Sequence, residues 1–374
     1  MRALKLVPEI YYFDTIKEWA EAMPITERDL LVTNEWLFEP YIEPLGVKPA
    51  LILQEKYGMG EPNDDMIDEI VKDVKELDFD RILAFGGGTI LDICKILALE
   101  LPEKTEDLFM GKVEPKKIKE LVAVPTTCGT GSEVTNVANT RLNSLGIKKG
   151  LAVEETFSDL AVLIPETLEG LPYQVFITSS VDALIHAIES YLSPKSSPFT
   201  EVFSHRAVSL IMSGYKAITD EGEEIRFNYS KDYLVASTYA GIAFGNAGCA
   251  AVHALAYSIG GAFHVPHGEA CYQFLTAVMK TYAAKDPDGK IRGLTGLIAD
   301  RIGTDSRDTS AVCEAFEEFL GKIIVRKPLR EYGMTEPQIE EFARLTYENQ
   351  QRLLVNNYVY LDESELGKIF EELY

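Results

Sequence analysis

Positive charge is in short supply in this chain. Lys and Arg number 36 against 59 Asp and Glu, for a formal net charge of −23 and a pI near 4.7. A surface of that sign repels nucleic-acid phosphates and anionic lipid headgroups, which excludes both as general partners. An anionic substrate would therefore need a local cationic site. Cysteine is sparse as well. Its five residues are odd in number and lack any C-x-x-C pair, so they read as reduced thiols of a cytoplasmic protein. The first residues, MRALKLVPEIYYFDT, hold no long apolar core, so no secretory signal is expected. Repeats and low-complexity tracts are missing. What remains is 374 residues of ordinary globular composition, long enough for more than one domain.

One stretch lacks charge of either sign. Residues 234–268, LVASTYAGIAFGNAGCAAVHALAYSIGGAFHVPHG, contain no Lys, Arg, Asp or Glu in a chain that is 25% charged. The length would suffice for a membrane span. Asn246, Pro266, three histidines and many Gly and Ala residues make it a poor lipid-facing helix. The stretch reads instead as a pair of close-packed, buried helices carrying His253, His264 and His267. A buried imidazole needs either a hydrogen-bond partner or a metal.

The first half alternates strand and helix. Short apolar runs at residues 30–33, 51–54, 81–85 and 121–124 end in turn residues. Between the second and third, Ile67, Ile70, Val71, Val74 and Leu77 share one helical face, and Asp68, Lys72 and Lys75 take the other. That rhythm predicts an α/β domain with a parallel sheet over residues 1–170. After the apolar run at 161–165 the pattern turns helical, which predicts an all-helical domain over 171–374.

Two glycine-rich loops follow predicted strands. FGGGTILD (residues 85–92) opens a helix, where glycines let a phosphate approach free N–H groups and the positive helix end. Its spacing matches neither G-x-G-x-x-G nor a P-loop, and a plain tight turn is the alternative. PTTCGTGSE (125–133) adds hydroxyls and further glycines, so the pair suits the phosphates and ribose of a dinucleotide. In the second half, VDALIHAIE (181–189) sets Asp182 and His186 four apart on one buried helical face. They could be a hydrogen-bonded structural pair. With His253 and His267 they also make one carboxylate and three imidazoles, a first shell for Zn²⁺ or Fe²⁺. His205, beside Arg206, reads as surface.

These pieces resemble, in order and spacing, the iron-containing (group III) alcohol dehydrogenase family. The motifs that carry the likeness are GGGTILD, PTTCGTGSE, DALIHAIE and HALAYSIGGAFHVPHG, and it runs from the first strand to the C-terminus. The resemblance implies the fold shared with dehydroquinate synthase: an α/β dinucleotide-binding domain, then an all-α domain binding metal and substrate. It implies an NAD(P)(H)-dependent oxidoreductase with a divalent metal, Fe²⁺ or Zn²⁺, held by Asp182, His186, His253 and His267. Gly87, Gly88, Asp92, Thr126 and Thr127 would serve the dinucleotide, with Lys148 toward its ribose or nicotinamide side. Asn34 stands where many members carry an acidic residue against the adenosine ribose. It can still hydrogen-bond the ribose, so NAD is expected ahead of NADP. Tyr257 replaces a frequent proton-relay histidine, and His264 offers itself instead, with a purely structural role as the alternative.

EKYGMGEPND, GIAFGNAGCAAVH, HVPHGEACY, KPLREYGM and QQRLLVNNYV place the chain nearest the family branch acting on 4-hydroxybutyrate. A small, carboxylated primary alcohol or its aldehyde is then the expected substrate, with Arg141, Lys149, His264 and Tyr257 available to its carboxylate. Butanol-, lactaldehyde- or propanediol-type activity is the alternative. A dehydroquinate-synthase-like lyase is a further one, but the uncharged stretch offers no basic cluster for a phosphorylated substrate. A homodimer or larger homo-oligomer is expected.

Overall fold

A six-stranded, wholly parallel sheet organises Leu6–Leu171 in the computed structural model, which describes residues 2–374. Its strands are β1 (Glu9–Tyr12), β2 (Asp29–Thr33), β3 (Ala50–Leu53), β4 (Arg81–Gly86), β5 (Glu120–Pro125) and β8 (Leu160–Leu163). They lie in the order β1-β8-β5-β4-β2-β3. Two further strands, β6 (Val137–Leu142) and β7 (Ile147–Ala152), pair antiparallel as a separate hairpin.

Side chains alternate across this sheet, so each strand feeds two cores. Leu30, Val32, Ile82, Ala84, Leu121 and Ala123 pack with the Asp64–Val74 and Gly88–Leu97 helices. Leu31, Leu83, Phe85, Val122 and Val124 face the other way, onto Ile16 and Trp19. The Asp64–Val74 helix begins at Asn63, whose side chain accepts the Met66 N–H, and buries Ile67, Ile70, Val71 and Val74. It stops short of Leu77, which is exposed because it lies beyond the last turn.

Parallel pairing brings the carboxyl ends of β2, β4 and β5 to one edge. Chain order reverses across β2, which sits between β3 and β4, and open α/β sheets bind ligands at such a switch point.

The second unit, Pro172–Tyr374, is helical, with no strand among its described residues. Residues 2–5 group with it, so the sheet unit begins at Leu6 rather than at residue 1. The tie is explicit: Lys5 N–H donates to Asn246 Oδ1 (2.6 Å), Asn246 Nδ2 donates to Lys5 O (2.9 Å), and Ser197 Oγ donates to Ala3 O (2.7 Å).

The uncharged stretch is not one span. No single described helix is long and apolar enough to cross a membrane, and the chain bends by 102° between Ala247 and Ala251. Gly248 makes that corner at φ +81°, where a Cβ would also lie 2.5 Å from Asn356 Nδ2. Burial accounts for Leu234, Ala240, Ala243, Ala251, His253 and Leu255, but Gly261, Ala262, His264 and Pro266 are exposed. In that link only Val265 turns inward. Lack of charge there therefore does not mark burial, which corrects the sequence expectation.

Candidate active site

The Tyr173–Leu192 helix presents Asp182, His186 and Glu189 along one face, and all three are buried. Two more helices complete the cluster. Ala251–Phe263 supplies His253 near its start and Tyr257 one turn on, and His267 opens the helix to Lys285. His264 ends the Ala251–Phe263 helix in a left-handed conformation (φ 55°) and reverses the chain into the next helix.

Asp182 sits at the centre. Its Oδ1 is 3.7 Å from His253 Nε2 and 3.8 Å from His267 Nε2, and its Oδ2 is 3.9 Å from His186 Nδ1. Those spacings are too long for hydrogen bonds. They suit donors sharing one ion, because two ligands each about 2.0–2.2 Å from a metal lie at most ~4.4 Å apart. His253 gives a second test. Its Nδ1 pairs with Glu189 Oε2 at 2.6 Å, while its Nε2 is buried with no hydrogen-bond partner. A carboxylate fixing one imidazole nitrogen so that the other faces inward is the usual support for a metal-bound histidine. The donor atoms of Asp182, His253 and His267, with Cys271 beside them, lie close enough to share one divalent ion, and His186 adjoins them through Asp182 and His253.

Glu189 does more than hold that tautomer. Its carboxylate also accepts Ala250 N–H (2.9 Å) and Val252 N–H (2.7 Å), capping the Ala251–Phe263 helix from outside. His186 stacks on Phe244 (4.1 Å) and on His253 (4.7 Å), which fixes its ring plane. Two thiols stand close by. Cys271 Sγ lies 3.9 Å from His267 Nε2, and Cys249 groups with His186 and His253. Burial pushes the Cys271 thiol up to about 11, so it stays protonated at neutral pH. Burial alone would lower the His253 imidazole, and the Glu189 carboxylate paired with its Nδ1 works in the opposite direction, so that the imidazole lies above its ordinary value.

The other expected site residues lie in the sheet unit. Gly86–Gly88 and Thr126–Thr130 follow the neighbouring strands β4 and β5, and Thr126 N–H donates to Gly86 O at 3.1 Å. A Cβ on Gly88 would meet Thr130 Cγ2 at 2.7 Å, and one on Gly87 would meet Thr127 Cγ2 at 3.2 Å. The loops thus pack too closely at Gly88 for a Cβ without a shift of Thr130, and tightly at Gly87. No side chain caps the Gly88–Leu97 helix, so its first amides are left for an anion, and this cradle fits a dinucleotide pyrophosphate. Asp92 is occupied within the unit. It accepts Ser132 Oγ–H (2.6 Å) and Asn139 N–H (2.9 Å), with buried Lys95 3.5 Å away, and so ties helix, loop and hairpin together. Lys148 stands on β7 and pairs with Glu61 at 2.8 Å. Asn34 follows β2, and its amide donates to Gln54 Oε1 (3.1 Å) and Glu55 Oε2 (2.8 Å).

Asp182, His186, His253 and His267 therefore converge, and the Tyr257 ring lies 6.2 Å from that of His267. His264 makes no described contact with the cluster and is exposed. Sequence reasoning passed over Glu189, Cys271 and Glu55. Only Glu189 had a local signal: it stands seven residues after Asp182, on the same helical face.

Comparisons with known proteins address the family. Residues 8–165 match the model of the iron-containing alcohol dehydrogenases, and 176–374 match that of the C-terminal domain of the same family. The 4-hydroxybutyrate dehydrogenase of Clostridium kluyveri is 48% identical over 374 residues, covering 100% of both chains. A sulfoacetaldehyde reductase of Bilophila wadsworthia is 30% identical over 79% of this chain and 77% of its own. Among solved structures, sulfoacetaldehyde reductase from Bifidobacterium kashiwanohense in complex with NAD+ superposes with a TM-score of 0.85 at 22% identity. It covers 100% of this chain and 98% of that one. The chain belongs to the iron-containing alcohol dehydrogenase family. It is an oxidoreductase of alcohols and aldehydes.

Proposed function

We propose that this enzyme interconverts 4-hydroxybutyrate and succinate semialdehyde with NAD(H), using a divalent ion held by Asp182, His186, His253 and His267. The observation that carries the chemistry is Asp182 at 3.7–3.9 Å from three imidazoles, with His253 Nε2 buried and unpartnered. The substrate follows from full-length identity of 48% to the Clostridium kluyveri enzyme. When bound, the ion supplies Lewis acidity toward an alcohol or carbonyl oxygen. Fe²⁺ and Zn²⁺ both suit one carboxylate and three imidazoles.

The protein's own residues do the positioning. Glu189 holds the His253 tautomer, and Phe244 holds the His186 plane. The Gly88–Leu97 helix end and the Thr126–Thr127 loop receive the dinucleotide phosphates, and Asp92 sets the spacing between them. When bound, the nicotinamide ring would supply the hydride acceptor for oxidation of the alcohol, whose hydroxyl proton must also leave for water. Tyr257, half-buried beside His267, is better placed than exposed His264 to pass that proton on.

Preference for NAD rests on Glu55. Asn34 lacks the charge that would repel a 2′-phosphate, but its amide holds the Glu55 carboxylate at 2.8 Å, restoring a negative group beyond β2. Glu55→Gln is expected to improve kcat/KM for NADP relative to NAD by roughly ten-fold. An unchanged ratio in steady-state assays removes Glu55 from that role.

The substrate reading is tested with protein of determined metal content. The expected kcat/KM for 4-hydroxybutyrate exceeds that for 1-butanol by at least ~10²-fold, the scale of one well-made charged contact. Equal values overturn the substrate assignment and leave the enzyme class standing.

A further inference from the structure

The metal-site residues differ in their access to solvent. Asp182, His186 and His253 side chains are 5–7% exposed, but that of His267 is 32% exposed. The open side of the cluster is therefore the His267 side. Next to His267 on that side stands the Tyr257 ring, 6.2 Å away between centroids. Over the Tyr257 ring stands a cation: Arg352 Cζ is 5.7 Å from its centroid.

Arg352 is exposed, and no described carboxylate lies within 4.0 Å of it. In a chain with 59 acidic residues, a guanidinium left without one is available to an anion from outside. Its backbone is well anchored. Asn356, 3% exposed, donates from Nδ2 to Cys249 O (2.8 Å) and to Arg352 O (3.5 Å). One side chain thus ties the Arg352 segment to the corner from which the His253 helix starts. The same segment carries unmet polarity. Gln350 Oε1 and both amide atoms of Asn357 are buried without a hydrogen-bond partner, and Asn357 is only 7% exposed. Buried amides left open in this way call for a ligand or ordered water.

We propose that Arg352 binds the distal carboxylate of the substrate and thereby makes the site select ω-hydroxy carboxylates over plain alcohols. This rests on the metal-site and substrate reading given under Proposed function. The reach is right. An extended four-carbon hydroxy acid spans roughly 6 Å by bond lengths, with ~2 Å from its oxygen to a metal and ~3 Å from carboxylate to guanidinium. The Arg352–Tyr257 and Tyr257–His267 separations, 5.7 Å and 6.2 Å, set an upper limit to the gap, and the span of the bound acid falls within that limit. The cation–π contact seats the guanidinium over Tyr257, and a guanidinium can give a carboxylate two parallel hydrogen bonds.

The test compares wild type, Arg352→Gln and Arg352→Lys on 4-hydroxybutyrate and 1-butanol at saturating NAD, with metal content checked in each. For Arg352→Gln the expected result is a KM for 4-hydroxybutyrate raised at least ~30-fold with kcat changed far less, the loss of one charge-assisted contact. The preference over 1-butanol collapses by the same factor. Arg352→Lys keeps the charge and loses the fork, so it falls between the two. If wild type prefers 4-hydroxybutyrate and Arg352→Gln keeps that preference within ~3-fold, the Arg352 proposal is overturned and the substrate reading stands. If wild type shows no preference, the substrate reading itself fails and the proposal falls with it.

Discussion

Gly268→Ala is expected to leave the enzyme with little bound metal and to lower kcat/KM by at least ~10²-fold. Gly268 directly follows His267 in the first turn of the His267–Lys285 helix. A Cβ there would lie 2.1 Å from the carbonyl oxygen of Thr178 and 3.4 Å from Asp182 Cβ. The near atom belongs to the backbone of the helix that carries Asp182 and His186, so no side chain can rotate out of the way. The two helices must separate. Overpacking of this kind costs about 1–3 kcal/mol or more, and a shift near 1 Å at a catalytic constellation costs on the order of 10²-fold in rate. Metal analysis of the purified variant, with kinetics at added metal, reads both effects. Gly261→Ala is the control: no atom lies within 4 Å of its Cβ position, and the residue is exposed on a helix. Alanine there should hold or raise stability. A Gly268→Ala enzyme with full metal and full activity would show that the helices do not need their close approach.

Why that glycine matters could not be read from its neighbours in sequence, and the same holds elsewhere. Hydrophobic period exposed β2, β4 and β5 because these central strands are buried on both faces, and it exposed edge strand β3 because ALIL is apolar throughout. It did not expose β1, whose EIYY is exposed or half-buried at every position and lies at the sheet edge beside β8. Nor did it expose the β6–β7 hairpin, where VANTRL and IKKGLA carry too little apolar alternation to stand out. The convergence of Asp182 with three histidines was legible because chemistry survives without packing: Asp182 and His186 four apart, and histidines in an uncharged stretch. Its support was not. Cys271, Arg352 and Glu55 act through pairings across 4 to 95 positions of chain with no periodic signature. The exposed link at 261–266 shows the limit of the charge argument, since residues without charge can face solvent as readily as core.

Glu189→Gln is expected to weaken metal binding by about 10–100-fold, the usual consequence of removing the group that orients a ligand histidine. The carboxylate is 3% exposed and receives three donors: His253 Nδ1 at 2.6 Å, Ala250 N–H at 2.9 Å and Val252 N–H at 2.7 Å. Glutamine keeps the shape but replaces one acceptor oxygen with an N–H₂ group. At least one donor then faces another donor in a buried site, costing about 1–3 kcal/mol of stability. The charge is lost as well, at the positive end of the Ala251–Phe263 helix and beside the imidazole that it holds. Competition with a chelator measures the affinity, and thermal unfolding measures the stability. The two must move together, because one side chain serves both the helix start and His253. Saturating metal should restore most of kcat in Glu189→Gln, since Glu189 positions a ligand without being one. Asp182→Ala removes a ligand outright and should not recover at any metal concentration. If the glutamine variant binds metal as tightly as wild type, Glu189 is only a helix cap, and the tautomer of His253 must be set by the metal itself.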